Sequence, residues 1–379
     1  MQYLEYGKTG LKVSRLGMGC MRLPSYERDG KTIYDEEKSI ALIHRALDLG
    51  INYFDTAPYY CDALSEEITG KALKGKREGV YLSTKNPIEN DSGDDFDKRL
   101  ERSLKKLDTA YIDFYHFWGI TLDTFMNMIC VPGGPLDRAK KWKDQGVVRH
   151  ISFSFHDAPD KMGEIIRRGE GVFSSLLCQY NILDRSNEEG MAYAYNEGLG
   201  IAVMGPVGGG RLGAPSKIIR DLLPGKVESS AEVALRFVFT NPHIHIALSG
   251  MSSIEMLEEN AALTDNTAPL SPAEQERLNA MMEENRRLAG LYCTGCKYCM
   301  PCPRGINIPE VFTLMNYHRV YQITGYARST YAQIGKVPWM QYQDASACID
   351  CGACEEKCPQ KLPIRKQLKE THRVLGMGS

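Results

Sequence analysis

Eight of the twelve cysteines fall in the last quarter of the 379-residue chain, in two runs: Cys293-x-x-Cys296-x-x-Cys299-x-x-Cys302-Pro303 and Cys348-x-x-Cys351-x-x-Cys354-x-x-x-Cys358-Pro359. A thiolate at every third residue wraps a short loop so that three sulfurs meet three irons of one cubane. The proline behind the last cysteine stops the chain from curling back, and that last cysteine serves the other cluster. Structural zinc sites instead pair two Cys-x-x-Cys knuckles. Disulfides suit secreted chains, and Met1-Gln2-Tyr3-Leu4-Glu5 has neither the basic nor the apolar stretch of a secretory signal. The expectation is two [4Fe–4S] clusters: one on Cys293, Cys296, Cys299 and Cys358, the other on Cys348, Cys351, Cys354 and Cys302. The first run has two residues, not three, before its last cysteine, which leaves the crossover open.

The net charge of −2 argues against a nucleic-acid or membrane-surface binder. Its distribution is uneven, since eleven of the 46 Lys/Arg but only six of the 48 Asp/Glu lie from Cys293 onward. That excess compensates anionic clusters, forms a solvated basic helix over Lys361 to Arg373, or docks an acidic electron carrier of the ferredoxin or flavodoxin type. No apolar run approaches the ~20 residues that span a bilayer. The expected location is the cytoplasm.

Ahead of the cysteines, short β-rich runs alternate with amphipathic stretches. The runs are Arg15–Met18, Tyr53–Asp55, Val80–Thr84, Tyr111–Tyr115, Arg149–Phe153, Ser174–Cys178, Ile201–Met204 and His245–Ser249. Helical patterns such as Glu37–Leu49 and Asp94–Leu107 lie between them. Eight strands, each followed by a helix, predict a (β/α)₈ TIM barrel; a doubly wound sheet lacks its G-x-G-x-x-G after the first strand. Tyr3 to Val13 reads as a hairpin plugging the barrel floor. Ser271-Pro272-Ala273-Glu274 starts a connecting helix with a capping box. The predicted organisation is a barrel over residues 1–265, a connector over 266–292 and an α-helical two-cluster, ferredoxin-like domain over 293–379.

Chemistry in such barrels sits where the strands end. Asp55 ends the second strand, Lys85 the third, and Tyr60 lies on the loop after Asp55. An ammonium fixed by a carboxylate favours phenolate, so it is expected to lower the tyrosine from its usual ~10 and make it a proton donor to a carbonyl. The other reading is a buried Asp–Lys pair with a tyrosine packed over it. Arg22, just past the first strand, is a surface arginine or a partner for an anionic substrate. Cys20, Cys61, Cys130 and Cys178 read as small buried apolar residues, with Cys61 next to the pocket.

Asp55-Thr56-Ala57-x-x-Tyr60, Ser65-Glu66, Lys85 and Tyr111-Ile112-Asp113 resemble the aldo-keto reductase family over about residues 1 to 265. With the cysteine tail, the chain resembles a branch of that family carrying a C-terminal two-cluster domain. The resemblance implies NAD(P)H-dependent carbonyl reduction through Asp, Tyr, Lys and His. Asp55, Tyr60 and Lys85 match. The histidine position, five residues after Asp113, is Trp118; His116 lies on the same strand face, ~6–7 Å deeper, as a substitute or an interior residue. Trp118 then shapes or caps the pocket. Gln179 and Ser154 match the residues holding the nicotinamide carboxamide, while the asparagine expected beside Ser154 is Phe155, followed by His156.

Gly250-Met251-Ser252-Ser253 opens a helix reaching Asn260, whose free N–H groups form a seat for a cofactor phosphate. No basic residue lies between Gly250 and Glu255, which disfavours the 2′-phosphate of NADPH. Gly208, Gly209, Gly210 and Arg211 form a loop suited to a diphosphate, or only a turn.

A nicotinamide delivers two electrons together and a cubane passes one, so a flavin or a radical-tolerant substrate would have to join them. Three readings follow. The chain is an iron–sulfur oxidoreductase acting on a small carbonyl or alcohol with electrons relayed by the clusters. Alternatively it is an NAD(P)H carbonyl reductase with structural or redox-sensing clusters, or an electron-transfer adaptor with a non-catalytic barrel. The first is the one predicted.

Overall fold

The computed structural model describes residues 1–28, 31–182, 184–207, 229–266, 270–290, 299–358 and 362–376. Contacts divide the chain into two compact units, Met1–Gly209 with Ala234–Pro269 and Gly210–Val233 with Leu270–Ser379.

In the first unit the barrel strands are β3 (Leu16–Gly19), β6 (Tyr53–Asp55), β7 (Tyr81–Pro87), β8 (Ile112–Ile120), β9 (Val148–Phe155), β10 (Ser175–Gln179), β11 (Gly200–Met204) and β12 (Ile246–Ser249). They pair in parallel and close, β12 returning to β3. All eight predicted strands are present, shifted at their ends. Their outward residues Leu82, Phe117, Phe153, Leu176 and Ile201 are buried, as expected of parallel strands covered on both faces. Helices α1 (Glu36–Asp48), α2 (Ser65–Leu73) and α3 (Gly93–Lys106) belong to the outer ring. Asp35 caps α1 by accepting from the Lys38 N–H at 3.0 Å, and Ser92 caps α3 from Asp95 at 3.2 Å.

The floor is plugged as expected. Antiparallel β1 (Tyr3–Glu5) and β2 (Lys12–Ser14) present the Tyr6 ring edge-on to Tyr53, Phe114 and His245, with centroids 5.2–5.8 Å apart. Gly200 is glycine because a Cβ there would meet the Tyr6 ring at 2.6 Å.

Two features were not foreseen. A second hairpin, β4 (Ser25–Arg28) with β5 (Lys31–Tyr34), rises between β3 and α1; its strands are largely exposed, so they lack the apolar alternation that marks a half-buried strand. The second is a clamp on the outside of β8. The Asp113 carboxylate, 1% exposed, accepts from Arg77 at 2.7 Å, Arg149 at 3.2 Å and the Leu82 N–H at 2.9 Å. Both guanidinium groups stack on Tyr111. Asp113→Ala strands these donors and should cost about 3 kcal/mol, read as a lower urea midpoint with an unchanged m-value.

The second unit is helical. Its longer helices among the described residues are Pro272–Gly290, Ile308–Arg319, Thr324–Tyr331 and Ile364–Leu375. Ser271 and Glu274 form the expected capping box, the Ser271 N–H donating to Glu274 Oε2 at 2.8 Å and the Glu274 N–H to Ser271 Oγ at 3.3 Å. The core joins Val311, Phe312, Met315, Ala327, Tyr331 and Leu368. Among the described residues no helix is long and apolar enough to cross a membrane.

Candidate functional site

Asp55, Lys85 and Tyr60 come together where β6 and β7 end. Lys85, 1% exposed, donates to Asp55 Oδ2 at 2.6 Å and to the Thr56 carbonyl at 2.8 Å. Ser83, two residues before Lys85 on the same strand face, donates to Asp55 Oδ1 at 2.8 Å. The Lys85 ammonium lies 4.7 Å from the Tyr60 ring centroid. Burial works against that ammonium, but Asp55 and Tyr60 more than offset it, and its pKa is raised.

Tyr60 departs from the sequence expectation. Burial raises its pKa, and the opposing pull of Lys85 recovers only part of the shift. Spacing shows the cation but not the desolvation of the phenol, so the net sign could not be read from the chain.

The loop holding Tyr60 is unusual. Cys61, Asp62 and Ala63 follow it with φ of 54°, 52° and 67°, left-handed geometry that costs an L-residue about 1–2 kcal/mol. The turn is pinned by the Cys61 thiol on the Cys20 and Met21 carbonyls at 3.5 Å and by Lys106 Nζ on the Ala63 carbonyl at 2.8 Å. Ala63→Gly should therefore raise stability by about 1 kcal/mol, seen as a higher melting temperature; an unchanged or lower one would show the turn to be unstrained.

Trp118, at the position expected to hold histidine, packs its ring edge-on against Tyr60 at 5.7 Å and tilted against Tyr59 at 5.5 Å. His116 stands beside Lys85 in the strand register and beside Ser152 on its other side. It has no exposed surface, and neither ring nitrogen has a hydrogen-bond partner. Burial lowers its pKa to about 4.

On the other wall, Ser154 Oγ accepts from the Gly119 N–H at 2.7 Å. The Gln179 carboxamide lies against Gly205, where a Cβ would approach it to 2.8 Å. Asn187 Nδ2 donates to the Gln179 carbonyl at 3.0 Å. His156, which sequence reasoning passed over, lies just beyond β9. The surrounding protein lowers its pKa, the Ser154 carbonyl opposes this, and the Lys85 charge lowers it further.

The helix after β12 spans Ile254–Asn266. Ser253 Oγ accepts from the Met256 N–H at 3.3 Å, and the buried Asn260 donates to Ser249 Oγ at 3.2 Å. Ser252 is exposed. The Arg22 side chain lies over Gly250, its Cδ 3.2 Å from where a Cβ would stand. A cation far away in sequence thus approaches the expected phosphate seat. Gly208, Gly209, Gly210 and Arg211 lie outside the described residues.

In the second unit, Cys299, Cys302, Cys348, Cys351 and Cys354 line one hollow of about 20 Å³. Ile308 and Leu368 close it, and Arg304, Lys357 and Arg365 flank it. Among the described residues no three His, Cys, Asp or Glu side chains gather so as to hold one metal ion. Five cysteines around one hollow exceed the four ligands of a structural zinc site, and with cations at the edge they fit an anionic iron–sulfur cluster better than a single zinc ion. Cys358 is buried in the helical core. Cys293 and Cys296 lie outside the described residues.

The chain belongs to the aldo/keto reductase family, whose model matches residues 15–283, and it carries a 4Fe-4S dicluster domain matching residues 292–362. It is 28% identical over 298 residues to L-galactose dehydrogenase of Arabidopsis thaliana, covering 72% of this chain and 91% of that one. It is 25% identical over 295 residues to the uncharacterized oxidoreductase YqkF of Bacillus subtilis, covering 69% and 90%. The solved structure of aldo-keto reductase AKR11C1 from Bacillus halodurans in its holo form aligns with a TM-score of 0.62 and 29% identity, covering 74% of this chain and 96% of that one.

Proposed function

We propose that the barrel mouth interconverts a small carbonyl compound and its alcohol, with electrons relayed by two [4Fe–4S] clusters in the C-terminal unit. The observation that carries the chemistry is the fully enclosed Lys85–Asp55 pair directly beneath the ring of Tyr60. In the reducing direction Tyr60 gives its proton to the developing alkoxide. Lys85 stabilises the phenolate left behind, and Asp55, oriented by Ser83, keeps that ammonium charged and in place. With no exposed surface, His116 serves as a neutral interior residue beneath the mouth.

NAD(P)H would supply a hydride at this mouth, held by Ser154 and Gln179, with Gly250, Ser252 and Asn260 at the phosphate end. Glu255 in the first turn of the helix disfavours a 2′-phosphate there, while Arg22 over Gly250 offers it a cation. Clusters bound by Cys348, Cys351, Cys354 and Cys302, and by Cys293, Cys296, Cys299 and Cys358, would supply one-electron transfer. A flavin at the same mouth would join the two currencies, and an acidic ferredoxin- or flavodoxin-type carrier suits the cations flanking the hollow.

The test is anaerobic purification with assays for iron, sulfide, flavin and nicotinamide, followed by addition of NADH or NADPH. Bleaching of the cluster absorbance by either nucleotide is expected. Carbonyl reduction without bleaching would remove the relay and leave a nicotinamide reductase with structural clusters. Iron-poor, colourless protein would sink both.

A further inference from the structure

The junction of β8 and β9 is irregular just where it meets the mouth. Phe117 pairs with Phe153 and Ile120 with Phe155, so Trp118 and Gly119 together stand opposite Ser154. This is a β-bulge. Gly119 adopts φ of 64°, the left-handed glycine such bulges employ, and bulges of this kind re-aim side chains beside active sites. Here the bulge lays Trp118 edge-on against Tyr60. It also leaves a stretch of wall, at Gly119, with no side chain.

His156 fills that stretch. Alternate residues of a strand share a face, and on β9 the register sets Ser152 beside His116 and Ser154 beside Leu177 of the barrel core. Position 156 continues this alternation one step beyond the strand. Its N–H still donates to the Ile120 carbonyl at 3.2 Å, so the chain runs on alongside β8. A Cβ on Gly119 would stand 3.7 Å from His156 Nδ1 and 4.0 Å from Cγ, which sets the imidazole across the bulge. His156 is exposed, whereas His116 is sealed below. Of these two histidines, only His156 can meet a molecule entering from solvent.

We propose that His156 is a further catalytic residue, binding the substrate oxygen from the β9 wall while Tyr60 transfers the proton from the β6 side. This deepens the carbonyl–alcohol reading and rests on it. A carbonyl oxygen has two lone pairs and gains negative charge as it is reduced. One lone pair takes the tyrosine proton. The other accepts a hydrogen bond from the single N–H of the neutral imidazole, which turns from the Ser154 carbonyl to the substrate and keeps its proton throughout. The bulge makes this arrangement fit: the left-handed backbone of Gly119 brings β8 past the ring without a side chain, while Trp118 stands against Tyr60.

The test uses the full-length protein prepared without oxygen, with 4-nitrobenzaldehyde as probe and NADH or NADPH as reductant. His156→Ala should lower kcat/KM by about 100-fold or more, mainly through kcat. His156→Gln, which keeps an N–H donor, should recover part of the loss, and melting temperature and cluster spectrum should not move. If His156→Ala turns over as wild type while Tyr60→Phe is inactive, the histidine assignment is overturned and the carbonyl reading stands. If Tyr60→Phe also turns over normally, the carbonyl reading falls and His156 with it. Should the wild type bind the aldehyde without reducing it, quenching of tryptophan fluorescence, compared with a Trp142→Phe/Trp339→Phe background that leaves Trp118 alone, reports affinity. At least tenfold weaker binding by His156→Ala supports the proposal; equal binding, or no binding by the wild type, defeats it.

Discussion

Tyr60→Phe is expected to lower turnover by about 10³-fold while leaving cluster spectra and melting temperature unchanged. The phenyl ring still packs against Trp118 at the same edge-on contact, so only the proton is lost. The pH dependence separates this role from a packing role. Burial raises Tyr60 and Lys85 brings it only part of the way back, so the phenol stays protonated through neutral pH. Reduction should be flat there and fall only above tyrosine's ordinary range near ~10. Alcohol oxidation needs phenolate and should rise with pH over the same span. Lys85→Met removes the opposing pull, leaves burial unopposed and makes the phenol a weaker acid, slowing reduction. It also strands Asp55, so stability must be measured beside activity; the Asp55→Asn/Lys85→Met double variant restores a neutral interior and isolates the acid-strength effect. Unchanged turnover in Tyr60→Phe would take the tyrosine out of the mechanism.

The barrel was legible because its signals are local. Parallel strands buried on both faces read as short apolar runs, and in the second unit the Ser271 cap stands beside the helix it starts. Asp55 and Lys85 were legible for a related reason: a charged residue closing an apolar strand has few places to go except the mouth. Other features depend on what lies across the fold. The polar hairpin from Ser25 to Tyr34 carries no alternation. Arg22 meets Gly250 only once β12 closes against β3. The bulge at Gly119 needs the register of a neighbouring strand to be seen at all. The pKa of Tyr60 was misjudged in sign because a sequence shows a neighbouring charge but not the water taken away. His156 carries no signal in the strand pattern, because it lies one residue past β9 and comes near Gly119 only through the register of β8.

The second large effect is acid lability of the barrel. His116, His150 and His245 are each held near a pKa of about 4 against an ordinary 6.5, first of all by burial. Their surroundings differ. His116 faces Lys85 and Asp55. His150 stacks on Phe114 at 4.8 Å, near Lys143, Asp113 and Arg149. His245 accepts the Ile201 N–H on Nδ1 at 3.0 Å, a bond its protonated form cannot keep, and lies near Arg15 and His243. Between pH 6.5 and 4 the unfolded chain takes up protons that the folded barrel refuses. Stability therefore falls as pH drops through that window and is fully present above it. At 1.36 kcal/mol per unit, the fully enclosed His116 contributes about 3 kcal/mol; solvent screening reduces the other two to about 1 kcal/mol each. Urea midpoints followed by tryptophan fluorescence from pH 7.5 to 5 should fall steadily, with a slope of about one to two protons. Cluster loss in acid could imitate this, so the decisive comparison is His116→Leu. That variant removes one proton from the slope and two unpartnered ring nitrogens from the interior, so it should match or exceed wild-type stability at pH 7.5 and lose less on acidification. Parallel pH profiles for the two proteins would mean that His116 is not held neutral, and the enclosed environment assigned to it beside Lys85 would be wrong.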